Sequence, residues 1–205
     1  MPWDHPFDDA EQYCGAYLDL LRRGADSIDR TKISRAAALL DEVIDRSGTI
    51  FVCGNGGSAA ISNHLHCDFL KGIQSGTDRF PRVISLAANI EMITAISNDI
   101  AYADIFLYPL RTMARREDAL ITVSSSGNSE NVVRAAEWAR ENGVRTIAFT
   151  GFSGGRTARL AEVNIHVPVN NYGVVEDVHQ SVMHILAQYL RQKHLGREKI
   201  STTCF

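Results

Sequence analysis

Two short loops in this chain collect small and hydroxyl-bearing residues where a backbone can wrap an anion. The first, Gly54-Asn55-Gly56-Gly57-Ser58, follows the apolar run 50–53 and leads into a helical pattern. Glycines let the backbone approach a ligand closely. The helix that follows turns its free N–H groups and the positive end of its dipole into the gap. The second loop, Ser124-Ser125-Ser126-Gly127-Asn128-Ser129, repeats the strand, turn and helix layout and adds four hydroxyls. Hydroxyls and N–H groups together can surround the three terminal oxygens of a phosphate monoester. No lysine or arginine falls within this loop, so helix termini must supply most of the charge compensation. Ser129 doubles as an expected N-cap.

Titratable side chains recur nearby at helical spacing. His64 and Asp68 are four residues apart, so both project from one face beyond the first loop. Near the carboxyl end Glu176, Gln180 and His184 repeat that interval and share a face, while His66, Asp177 and His179 fall on others. Two such faces on separate helices can supply an acid/base pair or a four-ligand site for a divalent metal. Other chemistries fit less well. No Gly-Lys-Ser/Thr occurs, so the first loop is not a nucleoside-triphosphate loop. Gly54, Gly56 and Ala59 match a loose dinucleotide fingerprint, GxGxxA, but Leu86-Ala87-Ala88-Asn89 offers no acid for a ribose hydroxyl.

These residues need a frame. Apolar runs at 50–53, 83–86, 119–123, 145–149 and 163–167, most rich in Val and Ile and bounded by turn signals, predict five strands. Helical patterns at 10–26 and 31–45 precede them. Others fall at 58–71, 101–114, 129–142 and 155–161, with a long final helix at 174–193. Strands alternating with helices predict an α/β fold with a doubly wound parallel sheet. Sites in such sheets lie at the carboxyl ends of the strands, where both loops fall. The expected organisation is a helical extension over 1–32, one domain over 33–195, and a frayed tail over 196–205. At 205 residues the chain is large enough to bury a core without crosslinks. A net charge of −3 argues against a nucleic-acid partner. The opening MPWDHPFDDAEQ is acidic rather than apolar and reads as no signal peptide, and no run of about 18 apolar residues suits a bilayer. Cys14, Cys53, Cys67 and Cys204 lack paired spacing and are expected as free thiols in a cytoplasmic protein.

In order along the chain, GNGGS with HxxxD, SNDxxxxDxF at 97–106, SSSGNS at 124–129 and EDVHxxxxH at 176–184 resemble the sugar isomerase (SIS) domain. Within it the chain is most similar to phosphoheptose isomerases, which convert sedoheptulose 7-phosphate into a heptose 7-phosphate. The resemblance spans about residues 33–190. It implies a five-stranded parallel sheet, a homotetramer with sites shared between neighbouring subunits, a divalent metal with zinc the expected ion, and no organic cofactor. Carried over, the phosphate contacts fall on Ser124, Ser125, Ser126 and Ser129. The sugar contacts fall on Asn55, Gly56, Gly57, Ser58, Asp99 and Glu176. Asp68 becomes the general base and His184 the proton shuttle, and His64, Asp68, Glu176 and His184 become the metal ligands. The family's glutamate is here the shorter Asp68, its glutamine is Glu176, and an expected arginine is Gly72, next to Lys71. These departures suggest a divergent branch acting on a different phosphosugar or at a different point in heptose metabolism. The same domain also serves as a non-catalytic sugar-phosphate sensor or protein-interaction scaffold, and that remains the alternative.

Overall fold

A computed structural model describes residues 6–204, so the first five residues of the acidic opening and Phe205 of the tail lie outside it. Two helices open the chain, α1 (Ala10–Asp26) and α2 (Arg30–Asp45), capped by Asp9 and Asp29, whose carboxylates accept from the N–H groups of Gln12 and Thr31. Five strands follow: β1 (Thr49–Cys53), β2 (Arg82–Ser85), β3 (Ala119–Ser124), β4 (Arg145–Thr150) and β5 (Val163–His166). All pairings are parallel and the order is β2-β1-β3-β4-β5. The intervening helices are α3 (Gly57–Cys67), α4 (Ile90–Asp99), α5 (Leu107–Met113), α6 (Glu130–Glu141) and α7 (Gly155–Leu160), and α8 (Tyr172–His194) closes the domain.

The three central strands are buried on both faces, which is why their sequences read as unbroken apolar runs. Ile50, Val52 and Ile121 pack on one side with Leu40, Leu65, Phe69 and Leu186 from α2, the α3 segment and α8. Phe51 and Leu120 pack on the other with Ile96, Leu110 and Val132 from α4, α5 and α6. Helix α8 is pinned towards both ends: Tyr17 of α1 donates to Asp177 at 2.5 Å, and Lys193 and His194 each lie 2.6 Å from buried Asp41 of α2.

Four sequence expectations change. The pattern at 101–114 is not one helix: a 3-10 turn at Tyr102–Asp104 is followed by a restart at Leu107. Pro109 has no N–H and its ring would press on the carbonyl of Ile105, so a continuous helix cannot run through it. Helix α3 ends at Cys67 and widens into a π-helical turn over Asp68–Ile73 that keeps Phe69 and Ile73 in the core. Helix α4 was not foreseen. The tail expected to fray carries a short helix, α9 (Arg197–Ile200).

Below the carboxyl end of β4, His179 of α8 is fully buried against Phe149. Its Nε2 lies 3.2 Å from the Thr150 carbonyl oxygen, and its Nδ1 has no partner among the described residues. Burial pushes the imidazole pKa down to about 4, with the Thr150 bond opposing the shift. A folded pKa below the unfolded value means that the unfolded chain binds the extra proton first. Stability is therefore complete above about pH 6.5 and declines as pH falls towards 4, by up to about 3 kcal/mol from this group. Urea unfolding of the protein and of His179→Gln between pH 7.5 and 4.5 should show the steeper loss only with histidine present.

Candidate functional site

In a parallel sheet of this order, β1 and β3 are neighbours whose following helices leave for opposite faces, so a crevice opens between the loops above them. Both glycine and serine loops stand there. They enclose a cavity of about 140 Å³ lined by Asn55, Ser58, Val123, Ser124, Ser125, Ser126, Ser129, Tyr172 and Glu176. Close packing dictates the glycines. A Cβ at Gly54 would fall 2.7 Å from the carbonyl oxygens of both Ser58 and Val123. Gly127 adopts φ +63°, and the Gly154 carbonyl fills the space a side chain there would need. Gly56 caps α3 at φ +54°, and the Glu176 carboxylate occupies the space beside Gly57.

The hydroxyls divide into occupied and free. Ser124 Oγ accepts from the Gly127 N–H at 3.2 Å and Ser126 Oγ from the Asn128 N–H at 3.3 Å, so both are committed to shaping the turn. Ser129 holds the N-cap position of α6 but makes no side-chain cap bond, contrary to expectation. Ser125 is buried, lines the cavity, and its Oγ has no partner among the described residues. A buried hydroxyl with no bond is costly unless a ligand completes it. Asn55 is fixed by a reciprocal amide pair with buried Asn131, 2.9 Å each way, and accepts from Tyr102 Oη at 3.1 Å. Asn131 and Tyr102 were not singled out from sequence; Asn131 lies two residues into the helix after the serine loop, which is the only hint it gave.

Helices α3 and α8 carry a second centre along the seam between them. His184 Nδ1 lies 3.0 Å from Asp68 Oδ2, and His64 Nε2 lies 3.4 Å from Asp68 Oδ1. One donor atom from each of His64, Asp68 and His184 falls within 4.8 Å of the others, a nitrogen–oxygen–nitrogen set of a kind that can hold a divalent metal. Glu176, expected as a fourth ligand, is not in this group. It lies two helical turns before His184, about 12 Å along the axis. It faces the serine cavity instead, where burial and then the charge of Asp177 raise its carboxyl pKa. Gln180 stands by the cluster in its place, with Nε2 2.9 Å from His64 Nδ1 and 3.1 Å from His184 Nε2.

The remaining expected residues scatter. Asp99 ends α4, is exposed and accepts from Asn98 at 2.7 Å; it does not line the cavity. Lys71 and Gly72 line a second hollow together with Asp68, Arg191 and Cys204. At the end of β2, Leu86 is in the core and the Asn89 side chain caps α4, so no group there receives a ribose.

The SIS domain model matches residues 12–151. The phosphoheptose isomerase of Helicobacter pylori is 30% identical over 183 residues, covering 89% of this chain and 94% of that protein. That of Mycobacterium tuberculosis is 38% identical over 166 residues, covering 79% and 84%. The solved phosphoheptose isomerase of Neisseria gonorrhoeae superposes with a TM-score of 0.81 at 27% identity, covering 89% of this chain and 98% of that one.

Replacing Ser125 by Ala removes a hydroxyl that no described residue satisfies. Its melting temperature should hold or rise slightly, while affinity for inorganic phosphate, read by calorimetric titration, should drop about tenfold as one bond to a charged oxygen is lost. Unchanged phosphate affinity would take Ser125 out of the anion site.

Proposed function

The chain belongs to the SIS domain family, and from that premise we propose that it is an aldose–ketose isomerase of a phosphorylated heptose, interconverting sedoheptulose 7-phosphate and a heptose 7-phosphate. The observation that carries this is the distance between its two centres. Ser58 and Glu176 border the cavity, and His64 and His184 follow on the same helices by six and eight residues, roughly 9 and 12 Å along the axes. A staggered seven-carbon chain with its phosphoester oxygen spans roughly 10 Å at about 1.5 Å per bond. A phosphate seated among the serines thus lets the sugar's other end reach Asp68 and His184. A sensor needs only the cavity; the second centre favours the enzyme.

In this reading the serine loop and the amino ends of α3 and α6 hold the phosphate and fix the open-chain sugar. Asn55, Ser58 and Glu176 meet its hydroxyls. The Asp68 carboxylate takes the proton from the carbon next to the carbonyl, leaving a cis-enediol, and returns it at the neighbouring carbon. His184 passes a proton from the hydroxyl of one carbon to the oxygen of the other. His64, Asp68 and His184 would hold a divalent cation, zinc by their chemistry, and such an ion polarises a carbonyl and stabilises an enediolate. No organic cofactor is invoked.

The proposed assembly is a homotetramer with sites at subunit contacts. It is supported by exposed Leu18 on α1 and exposed Ile185 and Tyr189 on α8. Residues 1–32 form the proposed oligomerisation extension, 33–195 the catalytic domain and 196–205 a tail, although the family match already begins within α1. The four cysteines are all free, which suits the cytoplasm proposed for it, and no helix among the described residues is long and apolar enough to cross a membrane.

Asp68→Asn should lower kcat on sedoheptulose 7-phosphate by about 100-fold or more while binding of the phosphosugar changes little. A variant with ordinary turnover removes Asp68 from the mechanism. Turnover of a panel of ketose phosphates, with and without a chelator, separates a metal-dependent heptose isomerase from a sensor, which would bind the sugars and convert none.

A further inference from the structure

The loop that leaves the carboxyl end of β4 reads Gly151-Phe152-Ser153-Gly154-Gly155. Three of its five residues are glycine, yet a left-handed φ of +48° falls on Phe152. A bulky side chain is strained in that region and a glycine is not. Neighbouring bonds hold the backbone there. The Gly151 N–H donates to the Ser125 carbonyl at 2.8 Å, the Phe152 N–H to that of Val169 at 3.2 Å, and the Gly154 N–H to that of Gly151 at 2.7 Å. This strained arrangement sets the Phe152 ring against the ring of Tyr172, with centroids 4.7 Å apart at 57°.

Tyr172 opens α8 behind Asn171, whose side chain accepts from the Val174 N–H at 3.1 Å. Its ring lines the serine cavity and is 62% exposed. Among the described residues the rest of that lining is polar apart from Val123, which is fully buried. Hydroxyls and helix N–H groups recognise phosphate oxygens and are blind to what the phosphate is esterified to, so alone they hold the inorganic ion as readily as a phosphosugar. Tyr172 is placed to tell them apart. It precedes Glu176 by one turn, about 6 Å along the axis, and His184 by roughly 18 Å, which puts it at the phosphate end of the site. Carbons next to the ester present C–H groups that an aromatic ring can cover while the phenol hydroxyl stays in water.

We propose that Tyr172 is a specificity-determining residue of the anion site: its ring covers the carbons adjoining the phosphoester and so selects an organic phosphate over inorganic phosphate. Phe152 is the positioning residue that backs the ring. The seat of the phosphate and the effect on turnover rest on the isomerase reading above.

The test titrates the full-length protein calorimetrically with inorganic phosphate and with sedoheptulose 7-phosphate, as wild type, Tyr172→Ala, Tyr172→Phe and Phe152→Gly. Tyr172→Ala should weaken the phosphosugar about tenfold and leave inorganic phosphate within about twofold, whereas Tyr172→Phe keeps the ring and should restore the selectivity. Phe152→Gly accepts the same backbone shape without strain and should lose selectivity in the same direction, by about threefold. In turnover the Tyr172→Ala loss should appear in KM with kcat little changed, because the ring meets substrate and transition state alike. Equal losses for both ligands, no loss for either, or dissociation of the Tyr172→Ala assembly in light scattering, which would make the ring a subunit contact, would each overturn the proposal. A wild type that binds selectively through Tyr172 but converts no sugar would count against the isomerase reading and leave the selectivity standing.

Discussion

The site depends on one packing constraint, the adjacency of β1 and β3 in a sheet ordered β2-β1-β3-β4-β5. Ile50 and Val52 feed one core layer and Phe51 the other, and because β1 crosses over to β2 on one side and β3 to β4 on the other, right-handed connections send the helices after β1 and β3 to opposite faces. The divergence creates the crevice. Gly54 then closes its floor, lodged between the carbonyls of Ser58 and Val123 where no side chain fits. Both loops depend on that contact for their separation, and the hydroxyls depend on the loops.

From this floor α3 and α8 run side by side and carry the chemistry outward. Helix α8 is tied to α1 by Tyr17 and Asp177 and to α2 by Asp41 with Lys193 and His194, so its seam against α3 is held near both ends. The π-helical turn at Asp68–Ile73 lets Asp68 meet His184 while Phe69 and Ile73 remain in the core. Length along the helix then separates two tasks. Residues in the first turns face the anion cavity, and residues two turns later form the His–Asp–His centre. Glu176 and His184 share a face and still belong to different centres, since a shared face fixes direction but not distance.

Much of this could be read from residue types. Asp9 capping α1, the Val/Ile runs of the strands and the two small-residue loops carry local signals, because caps, pleats and turns are settled by neighbours in sequence. The SSSGNS and HxxxD patterns mark the strand end and the helix face that the fold brings to the cavity and to the His–Asp–His cluster. What stayed hidden was set by contacts distant in sequence. Asn131 looks like an ordinary helical asparagine until Asn55 meets it across 76 positions. Gln180 lay on the expected face, but its contact appears only once α3 supplies His64. Glu176 lines the serine cavity, and its equivalence to a family glutamine said nothing of which centre it faces here. Two signals were local and still missed: Pro109, which forbids a helix through 105, and Ile90, Ile93 and Ile96 at helical spacing in α4.

Among the described residues, the cavity lining contains hydroxyls, an amide, helix ends and one carboxylate, and neither Lys nor Arg. For the phosphoester proposed to bind there, recognition is a matter of direction rather than of net attraction. Dipoles and short bonds fall off quickly with distance, so added salt should scarcely screen capture, in contrast to a pocket built on guanidinium groups.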